Sequence, residues 1–422
     1  MVVRQWSYLE QQLDYISTQQ MSSSSPYQAT VDATISWAYP DIGKRDLRLD
    51  FMRGLIMIYL VVVHMEYFSL FSLPAWERLG LVSSAEGFVL LSGLVVGLVY
   101  GNRARRDGLM PAAKKLWQRA FQLYRVNLFV ILSIALLGLL PFINVYDITH
   151  WWIPGDRSHA YYLYPADSAP LWEWFWKALS LQIGPHQYQV IGLYVALLSL
   201  SPLAILLLLR GKWLWILLFS WAVYAANLFL MIRLTPTKFE LGFPLLTWQL
   251  LFFNGLVIGY YHQQILSWLL TDKNRWAGWL AGAICLSFIF LGFNNPYAMF
   301  WPWENLSLVP SETFQSIYAF WFNKTMLGPG RLLNNAALFV TMYILLSRYW
   351  LGFDKALGWL LIPIGQESLY VFTLHVYIIL LVINLPIEIH DSFFWGTVVH
   401  GGSLLLIWLM VKHRVLFNWI PR

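Results

Sequence analysis

Arg53 and His64, in the first apolar stretch KRDLRLDFMRGLIMIYLVVVHMEYF, are the side chains best placed to do chemistry. Ionisable groups inside a bilayer are costly and default to functional candidates. The two stand eleven positions apart, so on a helix their directions differ by about 20° and their heights by about 16 Å. One face then carries a permanent cation near one membrane surface and a titratable ring deep toward the other. A histidine so placed can take a proton from a hydroxyl, and an arginine can hold an anion or a developing negative charge. Asp50 lies one turn before Arg53 on the same side and can pair with it. His375, in IGQESLYVFTLHVYIILL, sits at a similar depth in a later stretch and is a supporting, orienting partner if the fold brings the two rings together. Taken singly, Arg53 reads equally well as a snorkelling arginine and His64 as a satisfied core histidine, and a lone histidine at 375 more often packs. The shared face and the flanking Asp50 favour the functional reading of the set.

Glu86 opens the second apolar stretch and is a further supporting candidate, although the following Ser92, Gly93 and Gly97 read as a helix-packing surface. A basic cluster gathers Arg103, Arg105, Arg106, Lys114, Lys115, Arg119 and Arg125. It is either an anchor toward anionic lipid or, with Arg48, the mouth for a nucleotide-like donor such as coenzyme A. Arg48, Arg119 and Arg125 are the donor-binding candidates. Cys285 stands alone in an apolar run, so neither a disulfide framework nor a cysteine-based metal site is expected. The chain has no phosphate-binding Gly-x-x-x-x-Gly-Lys-Ser/Thr loop, no His-Glu-x-x-His and no Gly-x-Ser-x-Gly elbow. ATP-driven work, metalloprotease chemistry and serine hydrolysis therefore lack support.

The elements that must position these groups are membrane helices. The 422 residues are 58% hydrophobic and 12% charged, about half the charge of a soluble globular chain. Apolar stretches of spanning length recur near 51–71, 80–101, 121–142, 188–210, 213–233, 245–263, 276–294, 333–352, 359–384 and 392–411. This predicts an all-α polytopic bundle of about ten spans. Most of the 28 Lys and Arg flank one set of ends, which by the positive-inside rule puts both termini in the cytoplasm. The same bias accounts for the net charge of +6 without nucleic acid. Residues 1–44 are polar and Gln/Ser-rich, expected as a largely disordered cytoplasmic extension with at most a short helix over Trp6–Ile16; 45–422 form the membrane domain. Two outer loops, 143–187 and 295–331, are long and aromatic, suiting either an interfacial belt or sugar rings.

Five blocks carry a family resemblance: RDLRLDFMRGLIMIYLVVVH at 45–64, GFVLLSGLVVGLVYG at 87–101, RAFQLYRVNL at 119–128, PLLTWQLLFFNGLVIGY at 244–260 and IGQESLYVFTLH at 364–375. In this order they resemble the OpgC family, membrane acyltransferases that succinylate osmoregulated periplasmic glucans, within the broader acyltransferase-3 group. That group's hallmark is an arginine, ten residues and a histidine on the first span, the spacing of Arg53 and His64. The resemblance implies a bacterial inner-membrane enzyme with no bound cofactor, moving an acyl group from cytosolic acyl-CoA (succinyl-CoA or acetyl-CoA) to hydroxyls of a periplasmic glucan. His64 would be the general base and Arg53 the donor's holder or charge stabiliser. A succinyl group would need a second cation for its free carboxylate, with Arg119, Arg125 and Arg331 as candidates. Two rival readings are an acetyl-CoA-dependent transferase resembling heparan-alpha-glucosaminide N-acetyltransferase, sharing the Leu-Asp-x-x-Arg-Gly style of 49–54, and a secondary transporter of an organic anion. No repeat between the halves supports the transporter.

Overall fold

The computed structural model describes residues 37–40, 45–153, 156–166, 168–296, 305–386 and 392–420, with backbone alone over 152–160. The expected helix at Trp6–Ile16, the loop residues Trp301–Glu304 and the side chains of Asp156, His159 and Asp167 lie outside it. The chain divides into two units, Met1–Trp37 and Ala38–Arg422, and every element named below belongs to the second.

Each of the ten apolar stretches falls on helix, with shifted ends. Helix α1 (Leu47–Met65) begins at the N-cap Asp46, whose carboxylate accepts from the Arg48 amide, and stops at Glu66 in the left-handed region. Then come α2 (Ser84–Asp107) and α3 (Leu109–Leu137). The latter starts well before residue 121, so Lys114, Lys115 and Arg119 are helical rather than loop residues. The 143–187 loop departs from all-α expectation in one place, an antiparallel hairpin of β1 (His150–Ile153) and β2 (Asp156–Tyr162), followed by α4 (Leu171–Leu179).

The chain continues through α5 (Val190–Leu209), α6 (Trp213–Leu230), α7 (Leu245–Tyr260), α8 (His262–Leu270), α9 (Arg275–Phe293), α10 (Ser311–Trp321) and α11 (Pro329–Arg348). The expected single span 359–384 is two helices, α12 (Trp359–Gln366) and α13 (Ser368–Ile383), broken at Glu367 where φ is −109° and ψ 33°. Helix α14 (Phe393–Lys412) closes the fold.

Six helices among the described residues are long and apolar enough to cross a membrane: α2, α3, α5, α6, α9 and α14. A seventh span exists if α11 and the segment Trp350–Gln366, bent by 93° from it, are taken as one. Helices α7 and α13 are apolar but have only 16 residues each, about 24 Å of helix. Helix α1 has the length but carries Arg48, Asp50 and Arg53 in its first two turns. Its charge, which makes it a poor plain span, is what makes it a candidate for chemistry.

Small residues set the closest contacts. On α2 a methyl group at Gly93 would strike the Phe252 carbonyl and one at Gly97 the Leu256 carbonyl; on α7 Gly255 and Gly259 face the Leu90 and Leu94 carbonyls in return. Two Gly-x-x-x-Gly faces thus interlock backbone to backbone, as where helices associate without a hydrophobic drive from water. Gly54 of α1 meets Leu361 of α12 in the same manner, and Gly365 meets Asp50. This seats the turn at Glu367 beside the charged end of α1.

Candidate active site

Helix α13 leaves that turn and follows α1. Arg53 donates through Nη2 to Ser368 Oγ, the first residue of α13. Further along both helices His64 Nδ1 lies 3.0 Å from His375 Nε2, with the rings stacked at 5.2 Å between centroids and 25° between planes. The two candidates on α1 are therefore each met by a polar side chain of one partner helix. His375, the supporting histidine of the sequence reading, does touch His64.

The hydrogen bonds fix the tautomers. His375 is fully buried, and its Nδ1 is 2.5 Å from the Phe372 carbonyl, which can only accept. Nδ1 must carry the proton, leaving the Nε2 lone pair as acceptor. His64 Nδ1 must then be the donor between the rings, which places the free lone pair of His64 on Nε2. His64 is partly accessible, so this lone pair is not sealed in the core. Phe372 also stacks on Tyr188 and Phe88, at 5.0 and 5.9 Å between centroids. Tyr188 in turn bonds Thr373 at 2.8 Å. The wall behind His375 is thus aromatic and locked.

Asp50 is a correction. Its carboxylate takes two guanidinium nitrogens of Arg45, Nε at 2.6 and Nη2 at 2.8 Å, and acts on Arg53 through its charge without a hydrogen bond between them among the described residues. One turn of helix leaves Arg53 and Asp50 on similar faces, but Arg45 folds back from before the helix and reaches Asp50 head-on. Arg53 keeps a buried Nε without a hydrogen-bond partner among the described residues.

The three donor-binding candidates separate. Arg119 lies close enough to Arg53 for the two charges to act on one another; it bonds Gln122 at 2.7 Å. Arg125 is exposed, over the Phe121 ring. Arg48 is buried and consumed. It bonds Asp46 at 2.8 and 2.9 Å and Ser347 at 2.8 Å, and its guanidinium lies over the rings of Tyr39 and Tyr343. It fastens α1 to α11.

Glu86 proves to be one of two carboxylates around a buried arginine. Arg331, fully buried at the start of α11, donates to Glu86 and to Glu77, both at 2.6 Å, while the Ser83 amide donates to the Glu86 carboxylate at 2.7 Å. The cluster ties α2 and α11 to the loop after α1. Arg331 is thereby unsuited to greet a second carboxylate, against the expectation that it could serve a succinyl group.

Two groups were missed. His186, before α5, shares the electrostatic surroundings of His64 and lies 3.8 Å from Glu66, the residue that ends α1 with φ of 57°. Its only signal was a polar Gly-Pro-His-Gln between apolar runs. Lys324, exposed on the loop before α11, also acts on the charges of both His64 and Glu86. No group of three or more His, Cys, Asp or Glu among the described residues has the geometry to hold a metal ion.

Six helices of spanning length and apolarity suggest a helical membrane protein, and within it a broken helix packs on a charged first helix with two stacked histidines between them. The chain belongs to the OpgC family, whose model, for OpgC protein, matches residues 45–419. That membership suggests a glucan-modifying acyltransferase. No curated protein and no solved structure matches the chain.

Proposed function

We propose that this protein is a membrane O-acyltransferase of the acyltransferase-3 kind, moving an acyl group, succinyl first among the candidates, from cytosolic acyl-CoA to a hydroxyl of a periplasmic glucan. The supporting observation is the His64–His375 pair, which leaves Nε2 of His64 as an accessible base. In the reaction His64 Nε2 takes the proton of the sugar hydroxyl as its oxygen attacks the thioester carbonyl. The C–S bond breaks, and the CoA thiolate leaves and takes up a proton. His375 is a positioning residue: it holds the ring of His64 and fixes its tautomer.

Arg53 is about 16 Å along the helix from His64. Oxyanion stabilisation needs donors within about 3 Å of the developing charge, so a role in holding the donor suits Arg53 better than one at the carbonyl. Its buried, unpartnered Nε and the neighbouring Arg119 offer cationic hydrogen-bond donors to the phosphates or amide oxygens of CoA. This reading puts the Arg53 end of α1 on the cytoplasmic side and the His64 end toward the periplasm. It goes with about ten crossings, both termini inside and the bacterial inner membrane as location; α1, α7 and α13 would cross with help from their neighbours. The test is thiol release from succinyl-CoA and acetyl-CoA by the purified protein, with and without glucan. Glucan-dependent release supports the reading and its preferred thioester names the acyl group; absence of turnover with either overturns it.

A further inference from the structure

A cleft of about 380 Å³ opens between the 143–187 loop and the segment joining α6 to α7, a size within the range of roughly 300–1,000 Å³ for small-ligand sites. Tyr162, Tyr164, Lys177, Arg233, Thr237 and Lys238 line it. Three cations face one cleft, and the carboxylate in its wall, Glu240, forms no ion pair with them among the described residues. Glu240 is buried, and turns its oxygens to the Leu245 amide at 3.2 Å and the Thr235 hydroxyl at 3.4 Å. Lys177 is paired on its own helix with Glu173 at 2.5 Å. Lys238 donates to the Tyr162 carbonyl at 3.2 Å, which holds the cation at the rim. Arg233 is exposed and has no ion pair among the described residues. Burial, and after it the charge of Lys177, holds the Lys238 ammonium below its usual pKa, and a bound anion would offset both.

The cleft adjoins the segment that carries His186. A second, smaller cleft shares Ile183 and Lys238 with it and is lined by Gly184, Pro185 and Tyr188. These residues flank His186, and Tyr188 bonds α13 at Thr373. We infer that the cleft is an acceptor subsite that receives an anionic group, a phosphate or carboxylate, carried on a saccharide whose neutral hydroxyl lies nearer His64. Arg233 and Lys238 would take the charge, and the Tyr162 and Tyr164 rings and Thr237 would take the sugar. This rests on the acyl-acceptor reading above for its placement, though not for its chemistry.

The test compares binding of a gluco-oligosaccharide carrying one phosphate monoester with the same oligosaccharide lacking it, to the full-length protein in detergent. The wild type should prefer the phosphorylated probe by roughly tenfold. Arg233→Gln with Lys238→Gln should erase the preference, and Arg233→Lys should retain most of it. An unchanged melting temperature shows that the double variant is folded. Equal binding of both probes by the wild type, or a preference that survives the double variant, overturns the inference. If phosphatidylglycerol vesicles displace the phosphorylated probe while free gluco-oligosaccharide phosphate in excess does not, the cleft is a lipid site and the saccharide occupant is wrong. A phosphate preference without thiol release from either thioester would leave the subsite standing and remove the acyltransferase reading.

Discussion

His64 Nδ1 and His375 Nε2 face each other at 3.0 Å across the α1–α13 interface, although 311 residues separate them in sequence. Because the Phe372 carbonyl claims the other nitrogen of His375, the proton order along the pair runs one way. His64 is left with its lone pair on the nitrogen away from its partner.

A positioning role for His375 has a graded consequence. His375→Ala should lower kcat by roughly ten- to a hundredfold while leaving the KM for acyl-CoA close to wild type, the size of effect seen when the orienting partner of a metal-bound histidine is removed. His375→Gln, whose amide oxygen can accept from His64 Nδ1, should recover part of the activity. Steady-state transfer assays on both variants check this; equal defects would show that His375 matters only for packing.

Arg53 should divide the parameters the other way. Arg53→Ala removes a charge-assisted hydrogen-bond donor to the acyl-CoA and is expected to raise its KM by at least about tenfold. Ser368→Ala should produce a smaller change of the same kind by freeing the guanidinium. Competition by CoA lacking an acyl group reports the same interaction without turnover. A pure kcat effect would place Arg53 at the reacting carbonyl instead.

The buried cluster of Arg331 with Glu77 and Glu86 makes a prediction about folding. Arg331→Ala leaves the buried Glu86 and the half-buried Glu77 without their cation, a class of change that costs about 3–5 kcal/mol. The variant should express poorly or melt well below wild type. Arg331→Met with Glu86→Gln should recover more stability than either change alone, and thermal melting in detergent is the readout.

The α2–α7 interface can be opened one methyl at a time. Gly97→Ala places a Cβ against the Leu256 carbonyl of α7, so the helices must part; an overpacking cost of about 1–3 kcal/mol is expected. Gly282→Ala on α9, where a methyl meets nothing, should be neutral. Melting temperatures of the two variants side by side make the comparison.

How much of this was legible depends on whether the information was local. Arg53 and His64 lie on one helix, so spacing alone gave their shared face, and the Gly93–Gly97 repeat likewise announced its packing role. The apolar stretches located helices because a hydrocarbon environment enforces backbone self-satisfaction. Contacts between distant segments were another matter. Arg45 and Asp50 are near neighbours, yet their pairing depends on how the chain enters α1, which helical periodicity does not describe. Arg331 reaches Glu86 across 245 positions, and nothing at either end named the other. The break at Glu367 hid inside an apolar run whose composition reads as one span. His186 was read as loop because its segment is short and polar, and only the fold carries it toward His64.

The most direct measurement is acyl transfer from radiolabelled succinyl-CoA to glucan by purified wild type and His64→Ala, with intact folding confirmed by matching melting curves. Removing a general base is expected to lower the transfer rate by about 10²–10⁴, with CoA affinity retained. Transfer by folded His64→Ala at a rate near that of wild type would contradict the account.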